Sequence, residues 1–304
     1  MKKQRQPDAD LHGIVVVDKP AGFTSFDVIA KLRGVLKTRR IGHSGTLDPM
    51  ATGVLPLFIG SATKAVDMQL REDKVYCAQM QLGIRTDTGD ITGEVLSRAP
   101  VHVGEQELRE VLPRFLGEQS QIPPMYSAVK VDGQPLYKLA RAGKTVERRP
   151  RAVTVHEIRL MGACGADCYQ LEVRCSKGTY IRTLLEDIGA ALGLPATMAA
   201  LRRTASGPYT EAQAHSLEEL IKAAQAGEVQ SLLAPVETVF EGYPRLDADF
   251  ATVGRLYHGA KTKCRLSDNK YAVYYKERFL GVAAAQDGEL KVLRMFAPLP
   301  ETQE

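Results

Sequence analysis

The sequence predicts an α+β fold with a small β-rich domain at its C-terminal end. Three observations carry this. Segments that alternate apolar and polar residues outnumber segments with helical spacing. The two kinds do not alternate strictly along the chain, as a doubly wound parallel sheet would require. After the turn-rich stretch "ETVFEGYPRLDAD", about 60 residues hold one helical pattern and several short strands. The chain has 304 residues, 44% of them hydrophobic and 25% charged, which suffices for one large domain or two unequal ones.

The elements follow in order. "GIVVVDKPAGFTS" predicts a strand from Gly13 to Asp18 that ends in a Pro-Ala-Gly turn. Thr24 or Ser25 then caps a helix whose apolar positions are Val28, Ile29, Leu32, Val35 and Leu36. A glycine-rich loop follows, then a short helix in "ATKAVDMQLRED". "KVYCAQMQLG" alternates and predicts a strand with Tyr76, Ala78, Met80 and Leu82 on one face. "IRTDTGDITGE" reads as a polar loop. Leu108, Val111, Leu112 and Phe115 mark a helix. The basic segment through "MYSAVKVDGQPLYKLARAGKTVERRPR" holds a short strand, an Asp132-Gly133 turn and a short helix closed by Gly143, and reads as an excursion from the core. "RAVTVHEIRLMG" and "DCYQLEVRCS" predict a hairpin joined through "ACGA". Thr179 is placed to cap the next helix, with Ile181, Leu184, Leu185 and Ile188 inward and Gly193 as its stop. "SLEELIKAAQAG" is a further helix. "ADFATVGRLYHG" is the one helix of the C-terminal segment, and "KYAVYYKERFLGVAAAQ" and "ELKVLRMFAPL" are its strands.

Composition narrows the class of function. Net charge is +4, and the cations cluster. "KLRGVLKTRR" has no acid, and Tyr137 to Arg151 has six bases against Glu147. Such clusters suit a phosphate backbone, where neutralised phosphates release counterions, although a solvated helix face has the same composition. Five sparse cysteines read as reduced thiols of a cytoplasmic protein. The charged start "MKKQRQPDAD" has no apolar run of a signal peptide, and no stretch approaches the about 20 apolar residues of a membrane helix.

The loop "RRIGHSGTLDPMATGVLPLFIG" invites three chemistries. A phosphate-cradling loop requires a lysine after the second glycine, and none follows Gly45 or Gly53. A nucleophile elbow requires Gly-x-Ser-x-Gly, and Gly45 follows Ser44 one position early. A structural metal site fares no better: Cys164 and Cys168 lack a second pair, and the six histidines are scattered. A carboxylate remains. Asp48 precedes Pro49, which drives its backbone toward an extended conformation, and the flanking glycines permit close approach. On these residues alone a plain Asp-Pro turn is the simpler explanation. Arg182 adds weight on the other side. It stands in the first turn of its helix, where the macrodipole disfavours a cation, so an anionic partner is expected. Paired with Arg182, Asp48 would be a nucleophile with a pKa lowered by about 1–3 units; an arginine reaching outward to solvent is the alternative.

Six ordered stretches carry a resemblance: "VVDKPAGFTS", "RRIGHSGTLDPMATGVLPL", "KVYCAQMQLGIRTDTGDITG", "PPMYSAVKVDGQPLYKLARAGKTVERRPR", "RCSKGTYIRTLLEDIG" and "LRRTASG". From Gly13 to Thr204 the chain resembles the bacterial tRNA pseudouridine-55 synthases of the TruB type, and its C-terminal segment resembles a PUA-type RNA-binding module. The resemblance implies a mixed, mainly antiparallel pseudouridine-synthase sheet flanked by helices. It implies a catalytic domain over residues 1–240, with a basic arm at about 124–152, and a PUA-like domain over 241–304. It implies isomerisation of one uridine in the tRNA T-loop by breaking the C1′–N1 bond, turning the base and rejoining it through C5, without cofactor or metal.

By the same resemblance Asp48 is the nucleophile, Tyr76 stacks on the base and helps remove the C5 proton, and Arg182 pairs with the carboxylate. Tyr180 and Leu201 line the base pocket, His43 enters the loop left by flipped-out bases, and Lys19 with Pro20 braces the site. On residue grounds alone Tyr76 and Leu201 are packing residues and His43 an exposed loop residue. The chemistry is physically coherent: extruding a base costs a few kcal/mol, and stacking on an aromatic ring returns about 1–3. Two departures stand out: Phe26 replaces the expected histidine, and "GLPATMAALRR" lacks a Gly-Ala-His run. The expected partner is the tRNA T-arm, with no membrane and no obligatory protein partner, and the expected state is a monomer. An RNA-guided synthase, and an RNA-binding or tRNA-folding module without essential catalysis, are the two alternatives.

Overall fold

The computed structural model describes residues 11–70 and 72–299. The charged first ten residues, on which the expectation about a leader rests, lie outside them, as do residues 300–304. Strand β1 (Gly13–Lys19) runs into helix α1 (Ser25–Leu36), whose N-cap Thr24 accepts from the Asp27 amide while Asp27 reaches back to the cap. Then come β2 (Ile41–His43), the loop that carries Asp48, and β3 (Thr52–Ile59). The short helix expected after it is a 3₁₀ segment, Gly60–Met68. Strand β4 (Lys74–Leu82) buries Tyr76, Ala78, Met80 and Leu82 as its alternation requires.

The segment read as a polar loop opens on a short strand, β5 (Ile84–Thr86), and the rest of it is the turn that leads to β6 (Val95–Arg98), with which β5 pairs as a hairpin. Its side chains close the intervening turn: Asp90 Oδ1 accepts from the Thr88 and Thr92 hydroxyls and from the Thr92 amide. Helix α2 (Glu105–Val111) and β7 (Gly117–Gln121) lead to the basic arm. The arm is a minimal hairpin, β8 (Lys130–Val131) and β9 (Gln134–Pro135), turned on Asp132 and Gly133 at positive φ, followed by α3 (Leu136–Arg141). Strands β10 (Arg151–Gly165) and β11 (Cys168–Cys175) form the long hairpin. Its turn is Ala166-Asp167, later than "ACGA", because Asp167 takes the positive φ and "ACG" continues the strand around a bulge.

Helix α4 (Ile181–Ala191) is not capped by Thr179. Its cap is Tyr180, whose amide donates to the Gln121 side chain, and Thr179 turns back to the Ser176 carbonyl. Strands β12 (Ala196–Ser206), β13 (Tyr209–Thr210) and β14 (Ala214–Ser216) and helix α5 (Leu217–Ala226) complete the main body. The remainder is β15 (Arg245–Asp247), α6 (Phe250–Tyr257), β16 (Thr262–Lys263), β17 (Asn269–Tyr275), β18 (Arg278–Gln286) and β19 (Glu289–Met295).

The main sheet runs β14-β1-β3-β12-β4-β11-β10-β7, with β2 on β3 and β13 on β12. It is mixed and mainly antiparallel, since only the β1–β14 and β3–β12 pairs are parallel. β1 is buried on both faces, which explains its unbroken run of valines. Val15 and Val17 pack with α1 and α5, while Ile14 and Val16 pack with Phe58, Phe240, Phe279 and Phe296. The last three form an aromatic group that seats the C-terminal five-stranded sheet, β15-β17-β18-β19-β16, on the main one. Over β4, β11 and β12 only one face is apolar, and it is covered by α4 and α2. The fold class is therefore the expected one, and the site lies where the two halves of the main sheet meet.

That meeting is the β3–β12 pair. Gly53 lies opposite Arg203 at φ +100°, and a Cβ built there would lie 2.2 Å from the Arg203 carbonyl oxygen. Only glycine allows this approach. Gly53→Ala is expected to destabilise the protein by about 3 kcal/mol or more, read as a fall in the denaturation midpoint. An unchanged midpoint would mean that the two strands separate freely.

Candidate active site

Asp48 stands on a loop with no regular structure of its own, so its position depends on what holds its neighbours. On one side the Leu47 amide donates to Ser25 Oγ at 2.9 Å, at the start of α1. On the other side the Pro49 carbonyl accepts from the Gly22 amide at 2.8 Å and from Lys19 Nζ at 3.2 Å. Lys19 Nζ also donates to the Pro20 and Phe23 carbonyls at 2.9 and 2.5 Å, tying the turn after β1 to the loop. Lys19 is fully buried, and burial pushes its pKa down to about 8, with Asp48 pulling it back up. One ammonium thus holds three carbonyls, those of Pro20, Phe23 and Pro49.

Arg182 reaches Asp48 from the first turn of α4. Its Nε lies 2.9 Å from Oδ2 and its Nη2 3.0 Å from Oδ1, a two-pronged pair. The remaining capacity of the guanidinium goes to backbone oxygens: Nη1 donates to Thr88 O at 2.9 Å and Nη2 to Tyr126 O at 2.7 Å. The Arg182 side chain is 5% exposed, whereas that of Asp48 is 32% exposed and open to an incoming group. This accounts for a cation at a helix N-terminus: the carboxylate and two carbonyls outweigh the unfavourable dipole.

The expected sign of the Asp48 pKa shift is corrected here. Burial pushes the carboxyl above its ordinary value, more than Arg182 pulls it down, and Asp90 pushes it the same way as burial. Arg182 limits the shift but does not reverse it.

Tyr76 lies beside the pair, 8% exposed, on β4. It stands opposite Arg203 of β12; burial raises the Tyr76 pKa, and the Arg203 guanidinium opposes the rise. Leu201, 7% exposed, stands opposite Ala78 two positions along. Tyr76, Leu201 and Leu47 belong to one apolar cluster with Ile181 and Leu184, so a flat apolar wall backs the carboxylate. Tyr180 precedes Ile181 and is half-buried; Gln121 accepts from its amide at 2.9 Å and donates to its carbonyl at 3.3 Å. His43 ends β2 at the entrance to the loop, and its Nδ1 accepts from the Gly45 amide. Burial and then Arg203 hold its pKa below the usual imidazole range, so it is neutral at physiological pH.

The structure thus brings Asp48, Arg182, Tyr76, Leu201 and Lys19 together, with Tyr180 and His43 beside them. Sequence reasoning missed Arg203. It is 1% exposed, and it donates from Nε to Val54 O at 2.7 Å and from Nη1 and Nη2 to the Thr46 and Gly45 carbonyls at 3.4 Å. It therefore anchors the Asp48 loop while standing opposite Tyr76. A charged residue at an inward position of an alternating strand was the available signal. Lys74, buried beside Gly45 and Arg203 and pushed by burial down to about 8, was also missed. Ser25, Gln121 and the two carbonyls on Arg182 left no mark in the sequence. Among the described residues no group of three or more His, Cys, Asp or Glu is placed to hold a metal, and no helix is long and apolar enough to cross a membrane.

A family model described as the N-terminal domain of TruB family pseudouridylate synthase matches residues 33–181, and one described as the tRNA pseudouridylate synthase B C-terminal domain matches residues 182–241. The chain is 44% identical over 305 residues to tRNA pseudouridine synthase B of Ralstonia nicotianae, covering 97% of both chains. It is 44% identical over 297 residues to the protein of that name from an Azoarcus species, covering 97% of this chain and 98% of the other. Among solved structures it is similar to a Cbf5–Nop10–Gar1 complex, with a TM-score of 0.72 and 26% identity, covering 98% of this chain and 92% of that one.

Proposed function

Because the chain belongs to the TruB family of pseudouridylate synthases, we propose that it isomerises the T-loop uridine of tRNA, position 55, to pseudouridine, with Asp48 as nucleophile. It is an isomerase acting on tRNA. The observation that carries the residue assignment is the two-pronged Arg182–Asp48 pair, accessible from one side and backed by an apolar wall.

The residues divide the work. The anchored loop holds the Asp48 carboxylate without using its side chain for support, so its oxygens remain available. Arg182 opposes the rise in pKa that desolvation gives the carboxyl. Attack on C1′, attack on the base and elimination to a glycal each use that ionised group. The extruded uracil lies against Leu201 and Tyr76, where stacking offsets part of the cost of flipping. When the base has turned and C5 has joined C1′, the C5 proton leaves and N1 gains a proton. Tyr76 is assigned to that exchange, with the Arg203 guanidinium opposing the rise that burial gives its pKa. Tyr180 completes the pocket, and neutral His43 fills the loop the bases have left.

Six exposed cations, Lys130, Lys138, Arg141, Lys144, Arg149 and Arg151, lie on and beside the arm, where phosphate contacts would position the T-arm without reading sequence. The arm also touches the chemistry, since the Tyr126 carbonyl holds Arg182. It is expected to close on RNA, so tRNA should slow tryptic cleavage between Lys130 and Arg151 by about tenfold or more. Equal cleavage with and without tRNA would refute an arm that orders on binding. The five-stranded C-terminal sheet, with its own apolar cluster around Leu256, Tyr271 and Val273, is assigned to RNA binding as a domain over residues 241–304, leaving 1–240 for catalysis.

The assignment is tested with unmodified tRNA tritiated at uridine C5. The purified chain alone should release tritium from one uridine per tRNA. A requirement for guide RNA or added proteins would favour an RNA-guided synthase. Binding without release would reduce the chain to an RNA-folding module.

A further inference from the structure

The cysteines play no part in the site, and two of them are placed for chemistry of their own. Cys164 and Cys168 lie at the free end of the β10–β11 hairpin, with their sulfur atoms 3.0 Å apart. The bulge between Ala163 and Gly165 brings this about by re-aiming Cys164 across the ladder. The scaffold around them is fixed. Gln81 Nε2 donates to the Ala166 and Asp167 carbonyls, and the Leu82 amide donates to Asp167 O at 2.9 Å, clamping the turn to the end of β4. Forming a disulfide from this contact requires about 1 Å of further approach.

The two sulfurs are unequal. Cys164 is the one exposed cysteine among the described residues, whereas Cys168 is buried. Burial, then the hydrogen bond to Cys164, pushes the Cys168 thiol up to about 12. Cys77 shares the outer face of the sheet, but its sulfur accepts from Gln170 at 3.0 Å, and burial raises its pKa. Cys175 is buried and pushed up to about 11.

We propose that Cys164 and Cys168 form a peroxide-reactive dithiol, a reversible modification site with Cys164 as the attacking thiol and Cys168 as the resolving one. In the first step the Cys164 thiolate attacks a peroxide oxygen. An S–O bond forms, the O–O bond breaks, and hydroxide leaves and is protonated to water. In the second step the Cys168 sulfur, giving up its proton, attacks the Cys164 sulfur; the S–S bond forms, the S–O bond breaks, and a second water leaves. Both sulfurs are oxidised, and one hydrogen peroxide is reduced to two waters. A resolving thiol at contact distance stops the exposed cysteine from passing to the irreversible sulfinic state. The site lies about 17 Å along β11 from the residue paired with Tyr76, so the modification concerns the hairpin rather than the reacting uridine.

The test treats the full chain with one equivalent of hydrogen peroxide, then counts thiols under denaturing conditions and maps peptides by mass. Two of the five thiols should be lost, with a mass decrease of about 2 Da placed on the Cys164–Cys168 peptide and reversed by dithiothreitol. Cys168→Ser should instead leave Cys164 as a sulfenic acid, an increase of about 16 Da, after one equivalent, and a second equivalent of peroxide should carry it to a sulfinic acid, an increase of about 32 Da that dithiothreitol does not reverse. Cys164→Ser should lose no thiol over the same period. Retention of all five thiols, sulfinic acid in the unaltered chain, or prior oxidation of Cys77 or Cys264 would each overturn the proposal. The readout is thiol chemistry, so its failure is distinct from any failure of the Asp48 assignment.

Discussion

Asp48→Asn is expected to abolish tritium release, with turnover reduced by at least about 10⁴-fold, while the dissociation constant for tRNA changes by no more than about threefold. The two halves of this expectation have separate grounds. Asparagine keeps the shape and one acceptor oxygen but removes the charge on which nucleophilic attack depends. The loop itself is held by the Leu47 amide on Ser25, the Pro49 carbonyl on Gly22 and Lys19, and the Arg203 contacts to Gly45 and Thr46, none of which uses the Asp48 side chain. The surface offered to RNA therefore survives the substitution. Removing an anion from a site that receives a polyanion does not weaken binding electrostatically. A large loss of affinity would show that Asp48 supports the binding surface, and residual turnover above about 1% would transfer the nucleophilic role to another group.

What the sequence revealed and what it concealed divide along physical lines. Alternation on β4 and helical spacing on α1 and α4 are local consequences of burial, so Tyr76 and the helix cores were legible. The α1 cap was legible as Thr24 or Ser25, and the structure gives Thr24, because capping box chemistry is contained within four residues. The α4 cap was not, because Gln121 reaches it from 59 residues away and so leaves no local pattern at Thr179. The β10–β11 turn was misplaced because a bulge shifts the register, and only strand pairing exposes a bulge. Arg182 was conspicuous as a cation in an unfavourable place. Its carbonyl partners at Thr88 and Tyr126 were invisible, since every residue carries a carbonyl. The sign of the Asp48 shift failed for a related reason: a partner can be guessed from charge, but desolvation depends on the whole cluster that closes around the carboxyl.

Arg182→Lys should lower single-turnover rate by about 10²–10³-fold while leaving tRNA affinity within a few-fold, and it should move the acid limb of the rate profile upward. A lysine keeps the charge but supplies a point donor in place of a fork that grips both Asp48 oxygens and two carbonyls at once. The direction of the pH effect follows from the balance at Asp48. Reaction requires the ionised carboxylate, and burial has already raised its pKa above 3.8, so the unaltered enzyme loses activity as pH falls through that raised value. Arg182 is the main group opposing the rise. Weakening its grip lets burial dominate further, so the variant should lose activity at a higher pH than the parent and recover part of it as pH increases. Lys19 supplies a smaller opposing charge and remains in place, which limits the displacement. Rates measured from pH 5 to pH 9 on saturating tRNA decide the matter. A uniform loss with an unmoved acid limb would assign Arg182 to geometry alone, and a limb displaced downward would contradict the electrostatic account of the pair.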